Sequence, residues 1–395
     1  MGSTLIFLCK LVSRSAVFLM LFLASKYLTE NQFGSIIDVI VWSTVIGLIG
    51  SLGGGVNTQA SLLNRDLKYL PSRNILLLFV LIQILLVLIF QNPPFAIVAS
   101  LSGTMLVIIN FIIAELRVNK KIITAEFYEF FVLFFPVSFC MIFSYLGNSV
   151  QSGYLLGLLT VLIILTMSKY KKIYPPPHVR TGSSDLLSNF VYGALIVIYA
   201  NIELIYLSTF SQNTDEVDKI RLFFALKISF AFVALFSGLY NKVLNNLHET
   251  NSLQKVSKWI TIACINFLIV FTFMKLISSL HLTNISWLES AYEEYSFIYY
   301  FLIVLTFNLF MGPFFIFILV ENNYRYRGVS SLVLKLIIVK MTILFFVSST
   351  FSIVEAIWFS LLFGAILFPL CYNFFFMKNS FYSFGVLGII LRKTS

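Results

Sequence analysis

The chain has 395 residues, 59% of them hydrophobic and 11% charged, with a mean hydropathy of +0.93 and a formal net charge of +10. A soluble domain carries about 25% charged residues, so this composition excludes a soluble globular protein and points to an all-α chain that crosses a bilayer many times. The basic residues are scattered among the connections rather than gathered on one domain, which argues against a nucleic-acid partner.

A membrane-spanning helix needs about 20 mostly apolar residues. Taken in chain order, such stretches are expected at 4–27, 35–57, 74–91, 95–115, 123–146 and 152–168, then at 185–209, 219–241, 259–280, 295–319, 329–350 and 354–376. The first stretch is long, is interrupted by Lys10 and Arg14, and has no small-residue cleavage site after it, so it reads as a span and not a signal peptide. The second ends in a glycine run (Leu52 to Val56) suited to close helix packing. Pro136, Pro313 and Pro369 fall inside spans, where kinks are expected.

The connections test this count. Alternate ones hold Arg65, Lys68 and Arg73; Arg117, Lys120 and Lys121; Lys169, Lys171, Lys172 and Arg180; Lys242, Lys255 and Lys258; and Arg325 and Arg327. The tail adds Lys378, Arg392 and Lys393. The intervening connections, such as TENQFG, QNPP, LGNSVQ and SQNTDEVD, hold no lysine or arginine. Basic connections face the cytoplasm, so the pattern predicts about twelve helices with both termini inside. The connection SKYKKIYPPPHVRTGSSD divides the chain. The expected organisation is one six-helix half over 1–173, a linker over 174–184, a second six-helix half over 185–380 and a cytoplasmic tail over 381–395.

Deep within the spans stand Lys10, Arg14, Lys227, Lys335 and Lys340. A central Lys or Arg costs about 2.5–3.5 kcal/mol on insertion scales. These groups are therefore expected to face a polar interior, an acidic partner or a ligand, although Lys10 and Lys335 also lie within snorkelling reach of the inner surface. Asp38 and Glu203, in the outer parts of their spans, pair with Arg221 or Lys227 on one reading and serve gating or ion coupling on another. Glu126 and Glu129, three apart near the start of the fifth span, read as an interfacial or structural pair. The remaining excess of positive charge predicts a central cavity suited to an anion, above all a phosphate. Cys9, Cys140, Cys264 and Cys371 lie in apolar runs without metal or disulfide spacing, and His178, His248 and His281 lie in or beside connections. No catalytic residue, metal or cofactor is expected.

The stretch ASKYLTENQFGSIIDVIVWSTVIGLIGSLGGGVNTQASLLN, from Ala24 to Asn64, carries a family pattern in Tyr27, Leu28, Phe33, Gly34 and Gly53 to Gly55. It resembles the opening of the O-antigen flippases (Wzx type) of the multidrug/oligosaccharidyl-lipid/polysaccharide exporter superfamily. NIELIYLSTF, with Glu203, and ENNYRYRGVSSLVLKLIIVK are similar to later segments of that family. The resemblance implies a multi-pass protein of the bacterial plasma membrane that carries a polyprenyl-pyrophosphate-linked oligosaccharide from the inner to the outer leaflet. It further implies two halves that rock about a cationic cavity, with polysaccharide polymerase and chain-length proteins as partners. Arg14 and Asp38 match the places of an arginine and an acid in related lipid II flippases. Lys10 and Arg14 would then receive the pyrophosphate, with Lys340, Lys227 and Lys335 contributing from the other half. One chain can enclose such a cavity, so a monomer is expected. Two alternatives stand beside this reading: a membrane polysaccharide polymerase or glycosyltransferase, and a drug or cation antiporter of the same superfamily.

Overall fold

The structure is a computed structural model. It describes residues 12–13, 20, 23–24, 27–51, 73–119, 121–169, 183–210, 223, 327–353, 355–357, 359–361 and 363–364. The described residues form helices and their short connections, with no strand among them. Their main elements are α1 (Glu30–Gly50), α2 (Arg73–Phe90), α3 (Pro93–Val118), α4 (Ile122–Tyr145), α5 (Val150–Lys169), α6 (Ser183–Phe210) and α7 (Arg327–Thr350). Six of these helices, all but α2, are long and apolar enough to cross a membrane. They coincide with the expected second, fourth to seventh and eleventh spans, and α2 with the third. The eighth to tenth spans (Phe223 apart), the glycine run at 52–56, Pro313 and Pro369 lie outside the described residues, as does most of the first span.

Local chemistry sets the helix ends. Thr29 caps α1 through a reciprocal pair: its hydroxyl accepts from the Gln32 N–H at 3.4 Å, and Gln32 Oε1 accepts from the Thr29 N–H at 3.2 Å. The helix therefore begins five residues before the expected 35, because the cap recruits the polar ENQ stretch that a hydropathy window discards. Asn92 caps α3 by accepting from the Phe95 N–H at 3.2 Å, and Pro93 occupies the first turn, where its missing N–H is harmless. Gly147 turns the chain between α4 and α5 at φ 72°, a conformation that disfavours a Cβ. After α7, Ser352 and Glu355 form a second reciprocal cap, with the Ser352 N–H donating to Glu355 at 3.0 Å and the Glu355 N–H to Ser352 at 3.2 Å. Glu355 is thus a capping group of the helical stretch that follows.

The chain falls into two packing units, Met1–Ile220 with Tyr324–Ser330, and Arg221–Asn323 with Ser331–Ser395. The first holds α1 to α6. Within it α1 lies against α3, α5 and α6, and α4 packs most extensively on α5. Glycines permit the close crossings. A Cβ on Gly47 would lie 2.6 Å from Leu106 Cβ, and one on Gly103 would strike Ile46. Between α4 and α5, a Cβ on Gly157 would lie 2.5 Å from Pro136 Cα, and one on Gly153 2.7 Å from the Phe139 carbonyl. Small residues allow such backbone approach where lipid supplies no hydrophobic drive between helices. The core of this unit includes Phe33, Ile36, Ile37, Val39, Tyr192 and Tyr199. The second unit is described over the body of α7 and the short stretch after it.

Candidate functional site

The charged groups expected at depth separate into four environments. Lys10, Arg14, Lys227 and Arg221 lie outside the described residues. Lys340 is 1% exposed, one of the large buried side chains among the described residues. Lys335, on the same helix, is exposed. At about 100° per residue the two lysines point roughly 140° apart, so α7 presents one cation inward and one outward. The helix sequence RGVSSLVLKLIIVKMTILFFVSST holds no acidic residue.

The acids lie on facing helices of the first unit. Asp38, half-buried on α1, accepts a hydrogen bond from the Ser208 hydroxyl of α6 at 2.8 Å. Glu203, one to two turns earlier on α6, is 2% exposed. Sequence reasoning offered cations for Asp38 and did not foresee the serine, because the contact spans 170 residues of chain. Further polar bridges cross the same unit. Ser43 and Tyr154 hydroxyls lie 3.1 Å apart, and the Asn110 amide donates to Ser51 Oγ at 3.3 Å and to the Gly47 carbonyl at 3.4 Å. Ser144 Oγ donates to Gln32 Oε1 at 3.1 Å, joining the end of α4 to the start of α1.

A fourth environment was not anticipated. Arg117 stands in the last turn of α3 and is 5% exposed. Its Nη2 donates to Glu126 Oε1 at 3.2 Å and to Glu129 Oε2 at 2.7 Å, both on the opening turns of α4. The three-residue turn between α3 and α4 brings these groups together. The signal was present in the sequence as two glutamates three apart, preceded nine and twelve residues earlier by an arginine. The expected end of the span at 115 left Arg117 in the connection. The glutamates are structural, as expected. Cys140 is buried and its thiol donates to the Val150 carbonyl at 3.2 Å. Among the described residues no three His, Cys, Asp or Glu side chains gather as a metal would require.

No protein-family model matches the chain, and no curated protein matches it. Solved structures do. One is an outward-facing multidrug resistance MATE family transporter of the MOP superfamily, with a TM-score of 0.58 and 14% identity over 99% of this chain and 94% of that one. Another is MATE in complex with MaL6, at a TM-score of 0.59 and 14% identity over 98% and 95% of the two chains. A third is MATE in complex with MaD5, at 0.56 and 14% over 99% and 94%. At such identity the likeness is one of fold. The chain is a multi-pass helical membrane protein with the fold of MOP superfamily transporters.

Proposed function

We propose that this protein is an alternating-access transporter whose substrate is a polyprenyl-pyrophosphate-linked oligosaccharide, moved from the inner to the outer leaflet of a bacterial plasma membrane. The fold supports transport. The observation behind the choice of an anionic substrate is the excess of cations over acids deep in the expected spans, among which Lys340 is buried on α7. A pyrophosphate brought out of water is costly to desolvate and needs counter-charges. Lys10, Arg14 and Lys227 are the further cations this reading assigns to the cavity, with Asp38 and Glu203 as gating or coupling acids. The sugar crosses through the hydrated interior while the prenyl tail stays in lipid. No covalent step is required.

The test is the leaflet location of the lipid-linked oligosaccharide in cells lacking the gene and complemented with variants. Loss of the protein should leave single repeat units facing the cytoplasm and remove surface glycan. Lys340→Met at normal expression should lower outward delivery at least about tenfold, the effect of roughly 1.4 kcal/mol in one binding or barrier step, and Lys340→Arg should retain part of it. Single units accumulating on the outer face would instead mark a polymerase defect.

A second reading rests on Asp38 and Glu203. Acids on the facing helices α1 and α6 suit a proton, sodium ion or organic cation, as a drug antiporter requires. Reconstituted vesicles separate the two. Gradient-driven efflux of a cationic dye, abolished by Glu203→Gln and indifferent to Lys340→Met, would favour the antiporter.

A further inference from the structure

Two helices of the first unit are held in different ways. α1 meets α3, α4, α5 and α6 through direct side-chain hydrogen bonds. α2 packs against α3, yet among its described side chains, from Val80 to Phe90, none makes a hydrogen bond. This stretch nevertheless contains an amide. Gln83 is the single polar residue between Ile75 and Phe90, and it is half-buried. A side-chain amide in such a setting is costly unless something meets it.

The hairpin shows what Gln83 faces. Across the turn at Gln91 and Asn92, the rings of Phe90 and Phe95 lie 4.7 Å apart between centroids. Seven residues bring a helix back to the same face within about 20°. Seven before Phe90 on α2 is Gln83, and seven after Phe95 on α3 is Ser102. The two helices run antiparallel, so amide and hydroxyl reach one level, about 10.5 Å along the seam from the ring pair. Leu86 and Ala99, both 0% exposed, mark the seam between the two levels. Ser102 is also 0% exposed, and its Oγ has no hydrogen-bond partner. Its neighbour Ser100 turns its hydroxyl back to the Ala96 carbonyl at 2.6 Å, so the hydroxyl of Ser102 is the one left for the seam.

We propose that Gln83 and Ser102 form a binding site for a single water molecule within the α2–α3 hairpin. The Gln83 carbonyl and NH2 group and the Ser102 hydroxyl offer three polar partners, and a buried water takes about two to four. An ion is disfavoured, because neither residue is charged and the one acid on either helix, Glu115, stands thirteen residues beyond Ser102. An apolar occupant would leave both groups stranded. The half-buried amide gives the water a way in. A bridging water is nearly as favourable as a direct bond but is exchangeable, so α2 can shift along α3 where α1 is pinned. The site does not depend on what the protein transports.

The experiment is X-ray radiolysis of the full chain in lipid nanodiscs. Bound water then yields hydroxyl radicals that oxidise the side chains beside it, and these are located by mass spectrometry. Leu86, between the two levels, is compared with Ile46, 4% exposed in the α1–α3 seam. The expected result is oxidation of Leu86 well above that of Ile46, falling to the Ile46 level in the double variant Gln83→Leu, Ser102→Ala. That variant removes both polar groups together, so no buried group is stranded and its Tm should stay near that of the parent. Equal, low oxidation of Leu86 and Ile46 in the parent would overturn the proposal. Oxidation of Leu86 that persists in the double variant would overturn it too, since the water would then not be held by these residues. Low oxidation together with a Gln83–Ser102 coupling in a double-mutant cycle of Tm would replace the water by a direct bond.

Discussion

Arg117 joins two carboxylates through one nitrogen; Arg117 and Glu126 are buried at the α3–α4 hairpin, and Glu129 is partly exposed at its edge. A buried ion cluster adds little net stability, because desolvation offsets the Coulomb attraction, yet removing one member leaves an uncompensated charge. Arg117→Ala should therefore destabilise the protein by about 3–5 kcal/mol, read as a lowered Tm in detergent. The triple change Arg117→Met, Glu126→Leu, Glu129→Met should recover most of that loss. A triple variant as unstable as the single one would show that packing, not stranded charge, is responsible. At this scale the sequence was half legible. The burial of Lys340 followed from its position within a long apolar run. Arg117 was lost because a hydropathy window closes a helix at its first charge, although the last turn of α3 runs on through Glu115 and Arg117. The Asp38–Ser208 pair was illegible, since nothing local in either segment names its partner.

Among the described residues, helices were legible as lengths and positions, less so as contacts. The reciprocal cap of Thr29 and Gln32 could have been read from its spacing and would have corrected the start of α1. The crossing of α4 and α5 could not, because its cause is the meeting of Gly157 with the backbone of Pro136, in separate spans. Two of the three glycines of this region, Gly147 and Gly157, make a test. Gly157→Ala drives a methyl group to 2.5 Å from Pro136 Cα, which cannot rotate aside, so the helices must part. Gly147→Ala meets open space but keeps φ 72°, which costs about 1–2 kcal/mol. Thermal unfolding should show Gly157→Ala as clearly the more damaging. Equal losses would mean that the α4–α5 seam yields more readily than its geometry indicates.

For the whole molecule, composition sufficed to establish a multi-pass helical protein, and the one-sided basic connections supply an orientation that can be measured. In a chain with Cys9, Cys140, Cys264 and Cys371 replaced, Lys121→Cys should react with an impermeant thiol reagent only after the cytoplasmic face is opened. Asn148→Cys should react in intact spheroplasts. Reversed labelling would invert the topology. The substrate is less legible because it is set by which charges share a cavity, a property of distant residues brought together. The same cations read alone fit a lipid-linked anion, whereas Asp38 and Glu203 read alone fit a cation.

The bond between Ser208 and Asp38 also bears on how the protein is made. Its partners are separated by 170 residues. At a synthesis rate of about 5–20 residues per second, roughly 8–34 s pass between the emergence of one and the other. Through that interval α1 holds a carboxylate in or beside the bilayer without its serine. A chain stalled before α6 would therefore carry the half-buried carboxylate of Asp38 without the hydroxyl that meets it in the finished protein.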